Sequence, residues 1–184
     1  MQERQITGGL SGSCTASLVR SRTWRRLLAA AAVVLYSAVL VAAQAKPSPS
    51  DFLAFLDKAD AAQLELQNGK PAAYKALWSH ADDVTLSGGL GGQIEKGWDA
   101  VGTRLDWVGT QFSQGTNRIE RIVEHASGDF GYLVQAEHLS YRVPGTGAQA
   151  TRDYRVTMIF RRESGAWKIV HRQADSNLVK TGGH

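Results

Sequence analysis

Hydrophobic residues recur at helical spacing in three segments of the chain. In residues 52–66 apolar side chains follow one another at intervals of three and four, and the same spacing returns in residues 72–80. A third segment, residues 98–112, carries one apolar stripe, with Trp107 about half a turn away from Trp98. These patterns predict three amphipathic helices, each with one side buried against the rest of the domain.

Four later segments alternate between apolar and polar residues with the period of a β-strand. They are rich in β-branched and aromatic residues and are separated by glycine-containing turns: residues 118–126, 130–142, 151–162 and 167–175. In the last of these strands, alternation predicts two faces. One face holds Trp167, Ile169, His171 and Gln173, and the other holds Lys168, Val170, Arg172 and Ala174. A short early strand pair precedes the third helix. Helices followed by an antiparallel meander predict an α+β fold whose sheet curls around the helices.

The first 45 residues have the features of an export signal. A basic segment at residues 20–26 precedes an apolar run at residues 27–41, and residues 43–45 read Ala-Gln-Ala, the pattern of a signal-peptidase site. We expect cleavage after Ala45 and an exported protein, periplasmic or extracellular. The alternative is a membrane anchor, which needs about 20 apolar residues, more than the run at residues 27–41 contains. The predicted organisation is an N-terminal extension with the signal at residues 1–45, a linker at 46–50, a folded domain at 51–178 and a tail at 179–184.

The net charge of the chain lies in this leader. The formal net charge is +4, and the five arginines and one glutamate before residue 46 account for all of it. A mature chain without net positive charge has little with which to neutralise phosphates, so we expect no nucleic-acid partner. The single cysteine, Cys14, also precedes the apolar run, which excludes a disulfide in the folded domain. No spacing of histidines and carboxylates indicates a metal site, and we expect no cofactor and no membrane contact after cleavage.

A glycine-rich loop at residues 87–92 follows the first short strand. Glycines let backbone amides approach a phosphate, but the loop lacks both the Lys-Ser/Thr ending of a P-loop and the spacing of a dinucleotide fingerprint. We interpret it as a flexible hairpin. Asp82 and Asp83, just before the strand, are interpreted as helix-end and turn residues rather than as paired catalytic carboxylates.

Four phrases of the sequence carry a resemblance to a known family: LWSHADDVTL at residues 77–86, GWDAV at 97–101, RVTMIFRR at 155–162 and WKIVHR at 167–172. In these phrases the chain resembles the SnoaL-like, ketosteroid isomerase-like members of the nuclear transport factor 2 superfamily. The resemblance implies a cone-shaped α+β barrel, in which a curved, mainly antiparallel sheet wraps around three N-terminal helices. It also implies a ligand pocket at the open end and, in many members, a homodimer through the outer sheet. Fold alone does not define the activity.

The isomerase residues of that superfamily are not matched. The position of the carboxylate base falls at or next to Gly88, and the position of the oxyanion-hole tyrosine falls near Ala62. Many relatives also carry a second histidine two residues after the one that corresponds to His171, where this chain has Gln173. An isomerase mechanism of that kind and a two-histidine metal site are therefore not predicted.

His171 is the candidate proton shuttle, and Asp106 is its candidate acid–base partner. The alternatives are a hydrogen-bonded core histidine and a solvated helix carboxylate. The pocket is expected to be lined by Trp98, Tyr132, Arg155, Thr157, Trp167 and Gln173. For Arg155 and Thr157, pairing with strand neighbours is the alternative.

The leading prediction is an exported domain that binds a small, mostly apolar ligand in the cone. One alternative is an enzyme of the cyclase, isomerase or hydratase type, in which His171 or Asp106 moves a proton. The other is a non-catalytic dimerisation or partner-docking module. An open pocket favours the first two, whereas Trp98 and Trp167 filling the cone would favour the third.

Overall fold

The computed structural model describes residues 49–176. The export signal, its cleavage site and the predicted tail at residues 179–184 lie outside the described residues, so the predictions about them stay predictions. Within the part of the chain that is described, no helix is both long enough and apolar enough to cross a membrane.

Three helices form where the apolar spacing predicts them. They are α1 at Pro49–Leu66, α2 at Ala72–Ala76 and α3 at Trp98–Gly109. α1 buries one face against the sheet, with Phe52, Leu56, Ala59, Ala62 and Leu66. On α3 the predicted apolar stripe is turned inward, whereas Trp107 on the opposite side is exposed.

α2 ends four residues earlier than the sequence pattern predicts. The segment after it pairs with the last strand, because the backbone N–H of Ile169 donates to Leu77 O and the N–H of Ser79 donates to Ile169 O, both at 2.9 Å. This pairing gives the backbone groups long-range partners in place of the next helical turn. It also fixes Trp78, between the two paired residues, in the core.

The strands form one six-stranded sheet in the order β2-β1-β6-β5-β4-β3. Their bounds are Thr85–Ser87, Glu95–Lys96, Ser113–Ser127, Phe130–Arg142, Gln149–Glu163 and Ala166–Asp175 for β1 to β6. β1 runs parallel to β6, and every other neighbouring pair is antiparallel. The helices cover the inner face of this curved sheet, which confirms the predicted cone-shaped α+β fold.

β6 contains a bulge that a simple alternation does not predict. Ile159 of β5 pairs with His171, but the next residue, Phe160, pairs with Ile169. Val170 therefore has no partner on β5, and this extra residue shifts the alternation of side chains by one position.

The predicted faces of β6 are consequently wrong beyond Val170. Buried side chains on both sides of the bulge share the inner face, namely Trp167, Ile169, Arg172 and Ala174. His171 and Gln173 lie on the outer face instead, where the register aligns them with Thr85 and Ser87 of β1. The error arises because the sequence rule assumes an unbroken period of two.

The inward face of α1 can be tested through Phe52, whose ring centroid lies 5.3 Å from that of Phe160 and 4.9 Å from that of Trp167. We predict that Phe52→Ala lowers the free energy of unfolding by about 3–5 kcal/mol, because truncation of a buried phenylalanine leaves a cavity. Leu53→Ala, on the exposed side of the same helix, is the matched control and should change it by less than about 0.5 kcal/mol. Urea unfolding followed by tryptophan fluorescence measures both; equal losses would contradict this orientation of α1.

Candidate functional site

A cavity of about 60 Å³ lies between the helices and the inner face of the sheet. Its apolar wall is formed by Leu66, Leu86, Leu105, Val108, Phe112 and Leu139. The polar residues that line it are Gln63, Gln67, Tyr74, Arg104, Tyr154 and Arg172. Since one water takes up about 30 Å³ of the liquid, the cavity has room for a short chain of atoms.

The carboxylate of Glu137 is completely buried next to this cavity. Arg172 donates to both of its oxygens, with 3.2 Å from Nη1 to Oε1 and 2.9 Å from Nη2 to Oε2. Gln135 Nε2 donates to Oε1 at 2.6 Å, and Gln63 Nε2 donates to Oε2 at 2.7 Å. Each oxygen thus accepts two hydrogen bonds. Burial disfavours the charged form of Arg172, but Glu137, together with Tyr74 and Tyr154, acts in the opposite direction, and the pKa of the guanidinium is raised.

The network continues from Glu137 toward the outside of α1. The side-chain oxygen of Gln135 accepts a hydrogen bond from Arg121 of β3, and Nη2 of Arg121 donates to Asp60 at 2.6 Å. Burial raises the pKa of Asp60 to about 6, even though Arg121 acts in the opposite direction. A line of paired side chains therefore connects a partly exposed carboxylate on α1 to the arginine in the cavity wall.

Among residues 49–176, two buried polar atoms of the cavity wall find no hydrogen-bond partner. They are the hydroxyl of Tyr74 and the side-chain oxygen of Gln67. Tyr74 is only 1 % exposed, and burial raises the pKa of its phenol, so the hydroxyl is protonated at neutral pH. A buried group of this kind costs about 1–3 kcal/mol when it is left unpaired. A ligand atom that pairs with it would recover that free energy.

The glycine-rich loop forms one side of the cavity through Gly88, Gly89 and Leu90. A Cβ atom on Gly89 would lie 2.3 Å from Cε1 of Tyr154, so the loop can rest on this ring only if the residue is glycine. The flanking strands β1 and β2 pair antiparallel, which confirms the hairpin.

Five of the eight predicted site residues lie on the outer face of the sheet, away from the cavity: Tyr132, Arg155, Thr157, His171 and Gln173. On β4 and β5 the buried face is the alternate one, which carries Glu137 and Val156. On β6 the bulge turns the side chains of His171 and Gln173 outward. Arg155 binds the cross-strand carboxylate of Asp175 at 2.6 Å, which confirms the alternative interpretation of this arginine as paired.

His171 and Asp106, the candidate proton-transfer pair, have other partners. Nδ1 of His171 lies 2.7 Å from Oγ1 of Thr85, and burial lowers the pKa of the imidazole. Asp106 lies on the exposed side of α3, where its carboxylate binds Nζ of Lys75 at 2.7 Å. The structure does not bring the two residues together, and neither lines the cavity.

The two tryptophans predicted to line the pocket also lie elsewhere. Trp98 stacks on His80, with 3.8 Å between ring centroids, beside an open surface depression. Trp167 is buried in the core against Phe52. None of the six predicted lining residues lines this cavity, because most of them occupy the opposite face of the sheet or the core.

Sequence reasoning missed Tyr74 and Arg172, which line the cavity, and Gln135 and Glu137, which form the hydrogen-bond network behind Arg172. One signal was available. On the face of β4 that holds Leu133 and Leu139, the two intervening residues are polar, and polar residues on a buried face require buried partners. Within the described residues, no group of three histidine, cysteine or acidic side chains is placed to hold a metal ion.

Residues 58–175 match the model of the SnoaL-like domain family. This match covers well over half of the chain, and the chain belongs to that family. No curated protein matches it.

Several solved structures share the fold. A candidate dehydratase of the nuclear transport factor 2-like family from Streptomyces avermitilis is 17% identical, with a TM-score of 0.61 over 72% of this chain and 100% of that one. A nuclear transport factor 2-like superfamily protein from Salmonella enterica is 18% identical, with a TM-score of 0.58 over 67% and 89%. A ketosteroid isomerase-like protein from Erwinia carotovora is 20% identical, with a TM-score of 0.56 over 68% and 95%. At these identities the likeness establishes the fold.

The raised pKa of Asp60 makes a prediction about stability and pH. Its folded value of about 6 exceeds its ordinary value of 3.8, so the folded state binds this proton more tightly than the unfolded state. The resulting stabilisation is present below about pH 4 and is lost as the pH rises through about 6. We therefore predict that Asp60→Asn gains about 1–3 kcal/mol in free energy of unfolding, relative to wild type, between pH 4 and pH 7.

Denaturant unfolding at a series of pH values measures this difference. Glu65→Gln, which changes an exposed carboxylate of the same helix, is the control and should keep a constant difference from wild type within about 0.5 kcal/mol. A pH-independent difference for Asp60→Asn would show that this carboxyl titrates alike in the two states.

Proposed function

We propose that this domain binds a small, mostly apolar ligand in the cavity and holds the polar end of that ligand at Tyr74, Gln67 and Arg172. The observation that carries the proposal is the pair of unpartnered polar atoms, Tyr74 Oη and Gln67 Oε1, in a wall that is otherwise formed by apolar residues and by polar residues with partners of their own. Apolar cavities with a few convergent polar groups are typical of small-molecule sites.

The three polar groups differ in what they offer a ligand. The hydroxyl of Tyr74 can donate or accept a hydrogen bond, the free side-chain oxygen of Gln67 accepts one, and the guanidinium of Arg172 donates. Glu137 holds Arg172 through two hydrogen bonds, so its donors are oriented before a ligand arrives. A ligand with a hydroxyl or carbonyl oxygen at one end and an apolar chain matches this wall.

Binding is better supported than proton transfer. Glu137 contacts Gln63 and Arg172 of the cavity wall, but its oxygens already accept four hydrogen bonds. These oxygens are therefore occupied by donors of the protein and are not directed at a ligand. The candidate bases on β6 and α3, His171 and Asp106, face away from the cavity.

Tyr74→Phe tests the proposal with pentanol as the probe. We predict that the variant binds pentanol about tenfold more weakly, because a hydrogen bond to the ligand is lost, and that the ligand-free variant is as stable as wild type or about 1 kcal/mol more stable. Methyl chemical shifts of Val108 and Leu139 in a titration followed by NMR report binding, and urea unfolding reports stability.

His171→Ala is the matched control, since this side chain lies on the outer face, and its affinity for pentanol should equal that of wild type. Wild-type protein whose cavity methyl signals do not respond to pentanol would contradict the proposal. A variant that loses stability together with affinity would show that Tyr74 has a structural role instead.

A further inference from the structure

Arg104 is a second arginine at the cavity, and the proposed function gives it no role. It lies on α3 and borders both the cavity and an outer depression beside Trp107. Its guanidinium carbon lies 4.1 Å from the centroid of the Trp107 ring, and its Nη2 donates to Gly91 O at 2.6 Å. The ring and the carbonyl fix the position of the cation at the edge of the cavity.

The glycine-rich loop runs close to this guanidinium. A Cβ atom on Gly88 would lie 3.5 Å from Nη2 of Arg104, and one on Gly92 would lie 3.7 Å from the same atom. Gly91 and Gly92 have φ values of 80° and 97°, which favour glycine. The loop therefore curves closely past Arg104 without placing a side chain over it at these positions.

Arg104 differs from Arg172 in having no carboxylate paired with its charge among residues 49–176. Arg172 faces the buried carboxylate of Glu137, whereas no ion pair among residues 49–176 involves Arg104. Glu95 borders the same outer depression without reaching the guanidinium. Arg104 also uses only part of its set of five N–H donors on Gly91.

We propose that Arg104 binds an anionic group of the ligand, a carboxylate, at the edge of the cavity, while the apolar chain enters along Leu105 and Val108 and carries the hydroxyl or carbonyl oxygen at its other end to Tyr74. A planar guanidinium at the edge of an apolar wall matches a carboxylate attached to a short chain. This inference rests on the proposed function and narrows it, because it selects short-chain acids with a polar far end over neutral and cationic molecules of the same length.

A phosphate at the same loop is less well matched. The amide of Gly91 already donates to Gly88 O at 2.9 Å, so the loop does not present a free row of amides to an anion. The apolar residues directly behind Arg104 also favour an anion that carries a hydrocarbon chain.

ω-Hydroxypentanoate, pentanol and ω-aminopentanol test this inference, because each has one hydroxyl at the end of a pentyl chain and they differ only at the other end, which is a carboxylate, a methyl group or an ammonium group. We expect wild-type protein at low salt to bind ω-hydroxypentanoate about tenfold more tightly than pentanol, and ω-aminopentanol most weakly. In Arg104→Gln the preference for ω-hydroxypentanoate over pentanol should disappear, with the affinity for pentanol within about twofold of wild type. Arg104→Lys should keep part of the preference, since lysine retains the charge but not the fork of donors.

Arg118→Gln, on an exposed arginine of β3, is the matched control and should leave all three affinities unchanged. Binding is followed by the same cavity methyl signals, and urea unfolding confirms that each variant is folded. Pentanol binding without a preference for ω-hydroxypentanoate, or an equal loss of both ligands in Arg104→Gln, would overturn the anionic subsite alone. If none of the three compounds binds to wild-type protein, the proposed function fails and this inference fails with it.

Discussion

The buried carboxylate of Glu137 is the constraint around which the inner face of this domain is built. A carboxylate removed from water is tolerated when a counter-charge and hydrogen bonds replace its solvation. Here the donors come from α1, β4 and β6, and Gln63 and Arg172 lie 74 and 35 residues away from Glu137 in the chain. The network can therefore be complete only when the sheet has closed over the helix, and it ties the two layers together beside the cavity.

The bulge at Val170 decides which side chain completes that network. With an unbroken β6, the face that holds Trp167 and Ile169 would continue with His171, and the imidazole would point toward the cavity. The extra residue places Arg172 there instead. One backbone irregularity thus supplies the counter-charge of Glu137 and gives the cavity a fixed donor group.

The cavity of this SnoaL-like domain carries different chemistry from the isomerase pattern. Gly88, near the position of the isomerase base, lines the cavity without a side chain, and Ala62, near the position of the tyrosine, is a small buried residue of α1. The polar groups of the wall come from other elements, chiefly through Tyr74 and Gln67. A fold whose layers are held by packing can exchange such wall residues without changing its architecture.

Local patterns in the sequence determined the helices, the four long strands, the hairpin at the glycines and the family, because amphipathic spacing records which residues share a face. They did not determine which face of β4 and β5 is buried, since both faces mix polar and apolar residues. Nor did they reveal the end of α2 at Ala76 or the bulge at Val170, which depend on pairing with strands distant in the sequence. The site follows from these long-range choices. Arg172 and Glu137 become partners only because the tertiary structure brings two separate strands and a helix around one buried charge.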